Sequence, residues 1–156
     1  MRKRSSYKKN EVVGDSVHER IDMARFINYI MVGGEKSTAE RVFYGALDEV
    51  KNITKGNPVE IFEKAIVNAS PLLEVVSKRV GGANYQVPRE VRPERKFFLA
   101  SHWIIDTAKK KKGSPMAKRL AEELILASKN EGTAIKKKQD MHRMAEANRA
   151  FASYVR

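Results

Sequence analysis

The sequence contains no cysteine, only one tryptophan and five prolines in 156 residues, and no long apolar run. Without cysteine, the chain can form neither disulfides, nor a thiol nucleophile, nor a cysteine-based zinc site. A membrane-spanning helix needs about 20 consecutive apolar residues, so no segment is predicted to cross a bilayer. The basic N-terminus is not followed by an apolar stretch, so no secretory signal is predicted.

The groups that catalysis would need are also scarce. The three histidines, His18, His102 and His142, fall in three different predicted helices, and none has a second histidine four residues away, as a helical zinc motif would require. Residues 33–37, GGEKS, lack the glycine spacing of a phosphate-binding loop. Lys36 could still bind an anion at a helix N-terminus, or this segment is simply the turn that starts the helix. The sequence therefore predicts no catalytic residue, no metal site and no cofactor.

Positive charge, by contrast, is abundant. Thirty-one Lys and Arg residues face 19 Asp and Glu residues, which leaves a formal net charge of +12 and an isoelectric point near 10.0. Such a surface repels itself unless a polyanion neutralises it. Nucleic acid is the first candidate partner, and an anionic membrane surface is the second.

The spacing of apolar residues predicts a mainly α-helical chain with a single domain. Residues 1–14 are predicted to form a basic arm with little to bury, and residues 15–156 the domain. Six amphipathic helices are expected in this domain, each with a recognisable start. The first five starts are Asp15 or Ser16, with Glu19 completing a capping box for Ser16, Ser37 with Glu40, Asn57 with Pro58, Pro93, and Ser114 with Pro115, and the sixth helix is expected after Gly132 and Thr133.

Apolar residues at helical spacing mark the faces that are predicted to form the core. In the first helix this face holds Met23, Phe26, Ile27 and Ile30. In the last helix it is predicted to hold Met141, Met144, Ala145 and Phe151. Trp103 in the fourth helix is also assigned to the core, because its helix neighbours are apolar.

Between the third and fourth helices the apolar pattern changes to period two on both sides of Gly81 and Gly82. This pattern predicts a protruding β-hairpin over about residues 74–88, with the second strand ending at Pro88. A lone two-stranded hairpin is marginal in water, so its base should pack on the helices while its tip projects. Tyr85 near the tip could stack on a nucleobase or pack against the hairpin base, and the sequence leaves both open.

Basic side chains concentrate in four segments. They are the arm with Arg2, Lys3, Arg4, Lys8 and Lys9; the hairpin and its exit with Lys78, Arg79, Arg92, Arg95 and Lys96; the run Lys109, Lys110 and Lys111; and the last helix with Lys136, Lys137 and Arg143. Single runs of charge are usually solvated surface, but cations that share one face bind a polyanion strongly. These residues, with Lys36, are the candidate RNA-binding residues.

The residues alone leave two other classes of function open. A DNA-compacting architectural protein would normally need a dimer or an apolar wedge, and neither is visible in the sequence. An RNA-modifying enzyme would need a cofactor loop or an acid–base pair, which the sequence lacks.

Four blocks of sequence resemble a known family. They are MVGGEKSTAERVFYGAL at residues 31–47, KRVGGANYQVPREVRPERK at 78–96, SPMAKRLAEEL at 114–124 and GTAIKKKQDMHRMAEANRAFASY at 132–154. In order and spacing they are similar to the bacterial-type family of small-subunit ribosomal protein seven. The resemblance covers the chain from about residue 26 to residue 154.

This resemblance implies a structural protein with six helices and a hairpin, which binds the three-prime major (head) domain of small-subunit ribosomal RNA and helps to nucleate head assembly. It also implies that the hairpin tip, Gly81, Gly82, Ala83, Asn84 and Tyr85, lies near exit-site tRNA and messenger RNA. The expected partners are ribosomal RNA, these two RNAs and neighbouring ribosomal proteins, with no membrane. Outside the ribosome the chain should be a monomer. The expected location is a bacterial ribosome in the cytoplasm, with an organellar ribosome as the alternative.

The chain departs from the pattern of the resembled family at three places. Gly33-Gly34-Glu35-Lys36 stands where the family usually has an acid, a glycine and two lysines, so only Lys36 is carried over as a contact there. Val76 replaces a common basic residue, and Val13-Gly14-Asp15 replaces a proline-containing turn. For the arm, therefore, the resemblance supports its charge but no individual contact.

Overall fold

The computed structural model of the protein describes residues 13–155. Within this range six α-helices and one antiparallel hairpin follow each other, and a C-terminal 3₁₀ helix comes last. The elements are α1 (Ile21–Ile30), α2 (Lys36–Thr54), α3 (Pro58–Ala69), β1 (Leu73–Val80), β2 (Ala83–Glu90), α4 (Pro93–Lys110), α5 (Met116–Ser128), α6 (Thr133–Ala147) and the 3₁₀ helix (Arg149–Val155). The predicted fold class, six helices with a hairpin between the third and fourth, is confirmed.

Three fully buried phenylalanines join the first three helices. The ring centroid of Phe26 on α1 lies 5.5 Å from that of Phe43 on α2 and 5.1 Å from that of Phe62 on α3. α5 packs against α2, α3 and α4 and closes the core with the fully buried Leu120 and Leu124. The predicted apolar face of α1 is buried as expected.

Two helix starts, those of α3 and α4, were predicted correctly. Asn57 caps α3, since its side-chain oxygen accepts a hydrogen bond from the amide of Val59 at 3.1 Å, and Pro58 occupies the first helical position. Pro93 likewise opens α4.

The predicted start of α1 at Asp15 or Ser16 was wrong, because α1 begins at Ile21. The buried carboxylate of Asp15 does accept hydrogen bonds from backbone amides, including those of His18 at 3.1 Å and Arg20 at 2.9 Å. These bonds close a separate turn, which ends where Glu19 adopts a positive φ of 54°. Asp15 is therefore a capping residue, but of the turn that precedes the helix.

Two other predicted caps are displaced by one or two residues. α2 begins at Lys36, so Ser37 lies inside the helix, and Glu35 precedes it without a capping hydrogen bond from its side chain. α5 begins at Met116 with Pro115 as its cap residue, so Ser114 is not the cap. In both cases the backbone carbonyl of the residue before the helix starts the hydrogen-bond ladder, from Glu35 to Ala39 and from Pro115 to Arg119.

The hairpin is longer than predicted and continues past Pro88 to Glu90. Gly81 and Gly82 have positive φ values of 58° and 93°, as a two-residue turn between twisted strands requires. Counting out from this turn, Val75 and Pro88 fall opposite each other at a pair whose amides point away from the partner strand. A proline without an amide hydrogen is tolerated there, so Pro88 does not end β2.

The predicted inner face of α6 was wrong in two of its four residues. Met144 is 49% exposed, and Phe151 belongs to the 3₁₀ helix, because α6 ends at Ala147. The buried residues of α6 are Ala134, Ile135 and the predicted Ala145. The face of α6 that is buried depends on the packing of the hairpin and the 3₁₀ helix, which periodicity does not reveal. Trp103, predicted to be core, is half-buried at the edge of the core.

Glu123 joins the start of α6 to the loop after α4. One carboxylate oxygen accepts the amide hydrogen of Ala134 at 3.2 Å, and the other lies 3.3 Å from the Lys111 Nζ. The second contact is an ion pair without good hydrogen-bond alignment, since that oxygen has no hydrogen-bond partner. Glu123 and Leu126 also crowd Gly132, where an added Cβ would lie 3.1 Å from Glu123 and 3.2 Å from Leu126.

We expect Gly132→Ala to lower the free energy of unfolding by about 3 kcal/mol, because φ is +93° and the new methyl group has no free space. Gly33→Ala is the matched control. Its φ is +63° but nothing lies within 4 Å of the added Cβ, so about 1 kcal/mol of strain is expected. Urea unfolding of both variants measures the difference, and equal losses would show that the Glu123 contact is unimportant.

Candidate nucleic-acid interface

The base of the hairpin holds a cluster of one acid and two arginines. Glu74 on β1 is only 6% exposed. One of its oxygens accepts a hydrogen bond from the Arg89 guanidinium on β2 at 2.5 Å, and the other accepts from Arg95 Nε on α4 at 3.2 Å. The cluster therefore ties both strands to the start of α4.

The pKa of Glu74 reflects two opposing effects. Burial by itself would raise its pKa, but the hydrogen bonds and charges of Arg89 and Arg95 outweigh burial and lower the pKa below the ordinary value. Glu74 is therefore ionised at neutral pH. Arg89 was not among the predicted RNA-binding residues, and Glu74 was missed altogether. Counting back from a two-residue turn at Gly81 and Gly82 would have placed the two opposite each other.

An aromatic group lies beside this cluster. The Arg95 guanidinium carbon is 4.9 Å from the ring centroid of Phe98. Phe98 in turn packs on His102 at 4.2 Å and on Tyr29 at 5.5 Å between ring centroids. All three rings are half-buried, so they support Arg95 from below the surface. The remaining predicted residues here are the exposed Arg92, which precedes α4, and the half-buried Lys96.

Packing brings the Lys36 loop close to the end of α4. Ile30, Val32 and Glu35 share a groove of about 430 Å³ with Lys109 and Arg119. Lys36 itself is 60% exposed and lies 3.9 Å from Glu40.

The lysine run at the end of α4 divides into exposed and internally paired residues. Lys109 and Lys110 are exposed, whereas the Nζ of Lys111 lies between Glu122 and the buried Glu123 at 3.4 and 3.3 Å. Arg119 donates hydrogen bonds to the carbonyls of Lys109 and Lys111 and so satisfies the end of α4. Lys111 therefore stabilises the fold directly, a role that the sequence did not indicate.

A second basic group lies on α6. Lys136 and Arg143 line a cleft of about 520 Å³ with Glu131, Gln139 and Asp140. Lys137 is half-buried. The neighbouring Lys138 points into the fold, where its Nζ donates to the carbonyl of Asn68 at 2.7 Å, and burial lowers its pKa.

At the far end of the hairpin, residues 81–84 are exposed and uncharged. Lys78 pairs with Tyr85 across the strands, and the exposed Arg79 pairs with Asn84. The ring centroid of Tyr85 lies 5.2 Å from that of Phe151 in the 3₁₀ helix. Tyr85 therefore packs on the 3₁₀ helix rather than on the hairpin base, and its stacking on a nucleobase stays a prediction.

Five predicted residues of the arm, Arg2, Lys3, Arg4, Lys8 and Lys9, lie outside the described residues. Within residues 13–155 no three His, Asp or Glu side chains converge on a position that could hold a metal ion. None of the helices in that range combines the length and apolarity needed to span a bilayer.

Comparison with known proteins agrees with this architecture. The small ribosomal subunit protein uS7 of Methylobacterium radiotolerans is 49% identical over 154 residues, which cover 99% of each chain. The proteins of the same name from Azotobacter vinelandii and Thermotoga petrophila are each 51% identical, over 146 and 144 residues. The alignment with the Azotobacter protein covers 94% of both chains, and that with the Thermotoga protein covers 92% of this chain and 93% of the relative. The fold and the basic clusters thus define a helical RNA-binding protein of the small ribosomal subunit.

The family model for ribosomal protein S7p/S5e matches residues 1–149, and the chain belongs to this family. It is accordingly a structural component of the ribosome and not an enzyme.

One hydrogen bond at the hairpin base should make the stability of the fold depend on pH. His142 Nε2 accepts a hydrogen bond from the amide of Leu72 at 3.0 Å, so it must be neutral. Burial, followed by the charge of Lys138, lowers the pKa of His142 below its ordinary 6.5. Between these two pKa values the unfolded chain binds more protons, so stability should fall as the pH drops through that window.

We expect the wild type to lose more unfolding free energy than His142→Gln between about pH 7.5 and about pH 5, because glutamine can accept the same hydrogen bond without titrating. Urea unfolding at the two pH values measures the loss. Parallel losses in both proteins would contradict the assigned role of His142.

Proposed function

We propose that the protein binds the three-prime major (head) domain of small-subunit ribosomal RNA and helps to nucleate assembly of the head. The observation that carries this proposal is the family match along residues 1–149, together with exposed cations at the hairpin exit. The binding is mainly to folded RNA shape and phosphates, with little reading of bases. Residues 1–14 would act as a basic arm, and residues 15–156 as one RNA-binding domain.

We further propose that the hairpin tip lies beside exit-site tRNA and messenger RNA. Its exposed, uncharged residues 81–84 add little to phosphate binding, which favours a positional role. Neighbouring ribosomal proteins are the other partners, and the ribosome is the cytoplasmic one of a bacterium. Outside it the chain is a monomer, because the apolar helix faces are already buried in one core.

The head-domain proposal predicts a steep salt dependence of RNA binding. If about 6–10 phosphates are neutralised, affinity for a head-domain transcript should fall roughly a thousandfold or more between about 50 and about 200 mM salt. Replacing both Arg92 and Lys96 by alanine should weaken binding and reduce the slope of log affinity against log salt by about 1.5–2. Filter binding across a salt series measures both quantities.

The matched control is the replacement of Lys51 and Lys64 by alanine. Both lysines are exposed on helices and lie outside the predicted site. Their replacement removes the same charge as the replacement of Arg92 and Lys96. If this variant loses as much slope and affinity as the first, net charge alone accounts for the binding and the proposed site is wrong.

The exit-site proposal can be tested by shortening the hairpin without changing its register. Deleting residues 79, 80, 83 and 84 keeps the Gly81-Gly82 turn and makes Lys78 and Tyr85 the closing pair. Because each strand loses two residues, every remaining side chain keeps its face. We expect normal occupancy of the protein in purified subunits but faster dissociation of exit-site tRNA.

The control for this deletion is Arg79→Ala in a full-length hairpin, which removes the same charge but keeps the tip. A collapse of subunit occupancy with normal tRNA dissociation would instead make the tip an assembly element. A matching effect of Arg79→Ala would assign the result to charge rather than reach.

A further inference from the structure

The cluster at the hairpin base has the geometry of a prepared anion site. Glu74 is buried, whereas its partners Arg89 and Arg95 have side chains that are 55% and 48% exposed. Both oxygens of the carboxylate are used, one for each arginine. Two guanidinium groups that would otherwise repel each other are therefore held near one fixed point.

The orientation of Arg95 is restricted at two places. Its Nε donates to Glu74 at 3.2 Å, and its guanidinium carbon lies 4.9 Å from the ring centroid of Phe98. Its two terminal guanidinium nitrogens make no hydrogen bond among the described residues. Arg89 uses one terminal nitrogen for Glu74. Each arginine therefore keeps donors available in a restricted geometry.

The charge and the donors together indicate the ligand. One carboxylate opposes two guanidinium groups, so the cluster keeps a net charge of +1. Several planar N–H donors from two arginines match the oxygens of a phosphate better than a single ammonium group would. An RNA backbone supplies such phosphates.

We propose that Glu74 is a positioning residue, which holds Arg89 and Arg95 as a binding site for one backbone phosphate of RNA. The proposal rests on the proposed RNA-binding function and adds a specific site to it. In this site an acid favours the binding of a polyanion, because it reduces the freedom of two arginines before binding.

The role of Glu74 can be separated from its charge, because the two predict opposite signs. On charge alone, Glu74→Gln removes one negative charge beside the RNA and should strengthen binding. If Glu74 positions the arginines, the same variant should weaken binding, since a neutral amide holds two guanidinium groups poorly. A role confined to the fold would change stability but leave the affinity of the folded protein unchanged or increased.

The first test compares Glu74→Gln with Glu90→Gln. Glu90 is exposed, lies next to Arg89 in sequence and makes no hydrogen bond or ion pair within the described residues. We expect the Glu74 variant to bind a head-domain transcript roughly tenfold more weakly, as for the loss of a charge-assisted contact, and the Glu90 variant to bind equally or more tightly. Urea unfolding gives the folded fraction used to correct each affinity. Corrected affinity of the Glu74 variant at or above wild type would overturn the proposal.

A second variant keeps the test valid if Glu74→Gln does not fold. Arg95→Lys preserves the charge and Glu74, but it removes the planar donor group. We expect a loss of about fivefold or more in affinity with an almost unchanged salt slope, whereas Arg41→Lys, at an exposed position of α2, should change neither. Equal affinity of the Arg95 and Arg41 variants would overturn the two-arginine site.

Failure of the proposed RNA-binding function and failure of the proposed role of Glu74 would give different results. Wild-type protein that binds the head-domain transcript no better than a structured RNA of equal length would contradict the proposed function itself. Specific wild-type binding with a Glu74 variant that binds at least as tightly would contradict only the role of Glu74.

Discussion

Repulsion among 31 basic side chains, opposed by only 19 acidic ones, is the constraint under which this chain must fold. Three buried carboxylates lie where elements meet, and two of them, Glu74 and Glu123, pair with basic side chains. Asp15 closes the turn before α1 and accepts a hydrogen bond from Tyr44 on α2 at 3.0 Å. Glu74 joins the hairpin to α4, and Glu123 joins Lys111 to the start of α6. A buried acid without partners would be very unfavourable, so these contacts fix the junctions, and those of Glu74 and Glu123 also restrict the cations beside them.

The hairpin depends on the helical body more than its sequence suggests. Two strands alone are marginal in water, and this pair is stabilised by contacts at several levels. Val87 is buried, His142 of α6 accepts the amide hydrogen of Leu72, and Tyr85 packs on Phe151 of the 3₁₀ helix. Support therefore runs from the base to within three residues of the turn. The position of the tip is consequently set by α6 and the 3₁₀ helix, and changes in either element should move it.

Features fixed by neighbouring residues could be predicted from the sequence. The Asn57-Pro58 start of α3 and the Gly81-Gly82 turn each depend on local backbone chemistry, and both are present. Asp15 shows the limit, because the same capping chemistry that starts a helix can close an isolated turn. Tertiary contacts decide the rest. Nothing in the spacing of Met144 or Phe151 shows that smaller residues of α6 face inward. The internal pairing of Lys111 likewise depends on Glu123, which belongs to a different helix.

The lysines within one basic run differ in burial and in their contacts. Lys138 donates to the carbonyl of Asn68 while its neighbour Lys136 lies exposed in the cleft with Arg143. Lys111 is paired with acids while Lys109 and Lys110 remain exposed. In each run, one lysine makes an internal contact that stabilises the fold, while Lys136 in one run and Lys109 and Lys110 in the other remain exposed. A change in the internal lysine would remove a contact of the fold and thereby displace the exposed neighbours. Charge counting treats these residues as equal, whereas their burial separates the cations that stabilise the fold from those that remain exposed at the surface.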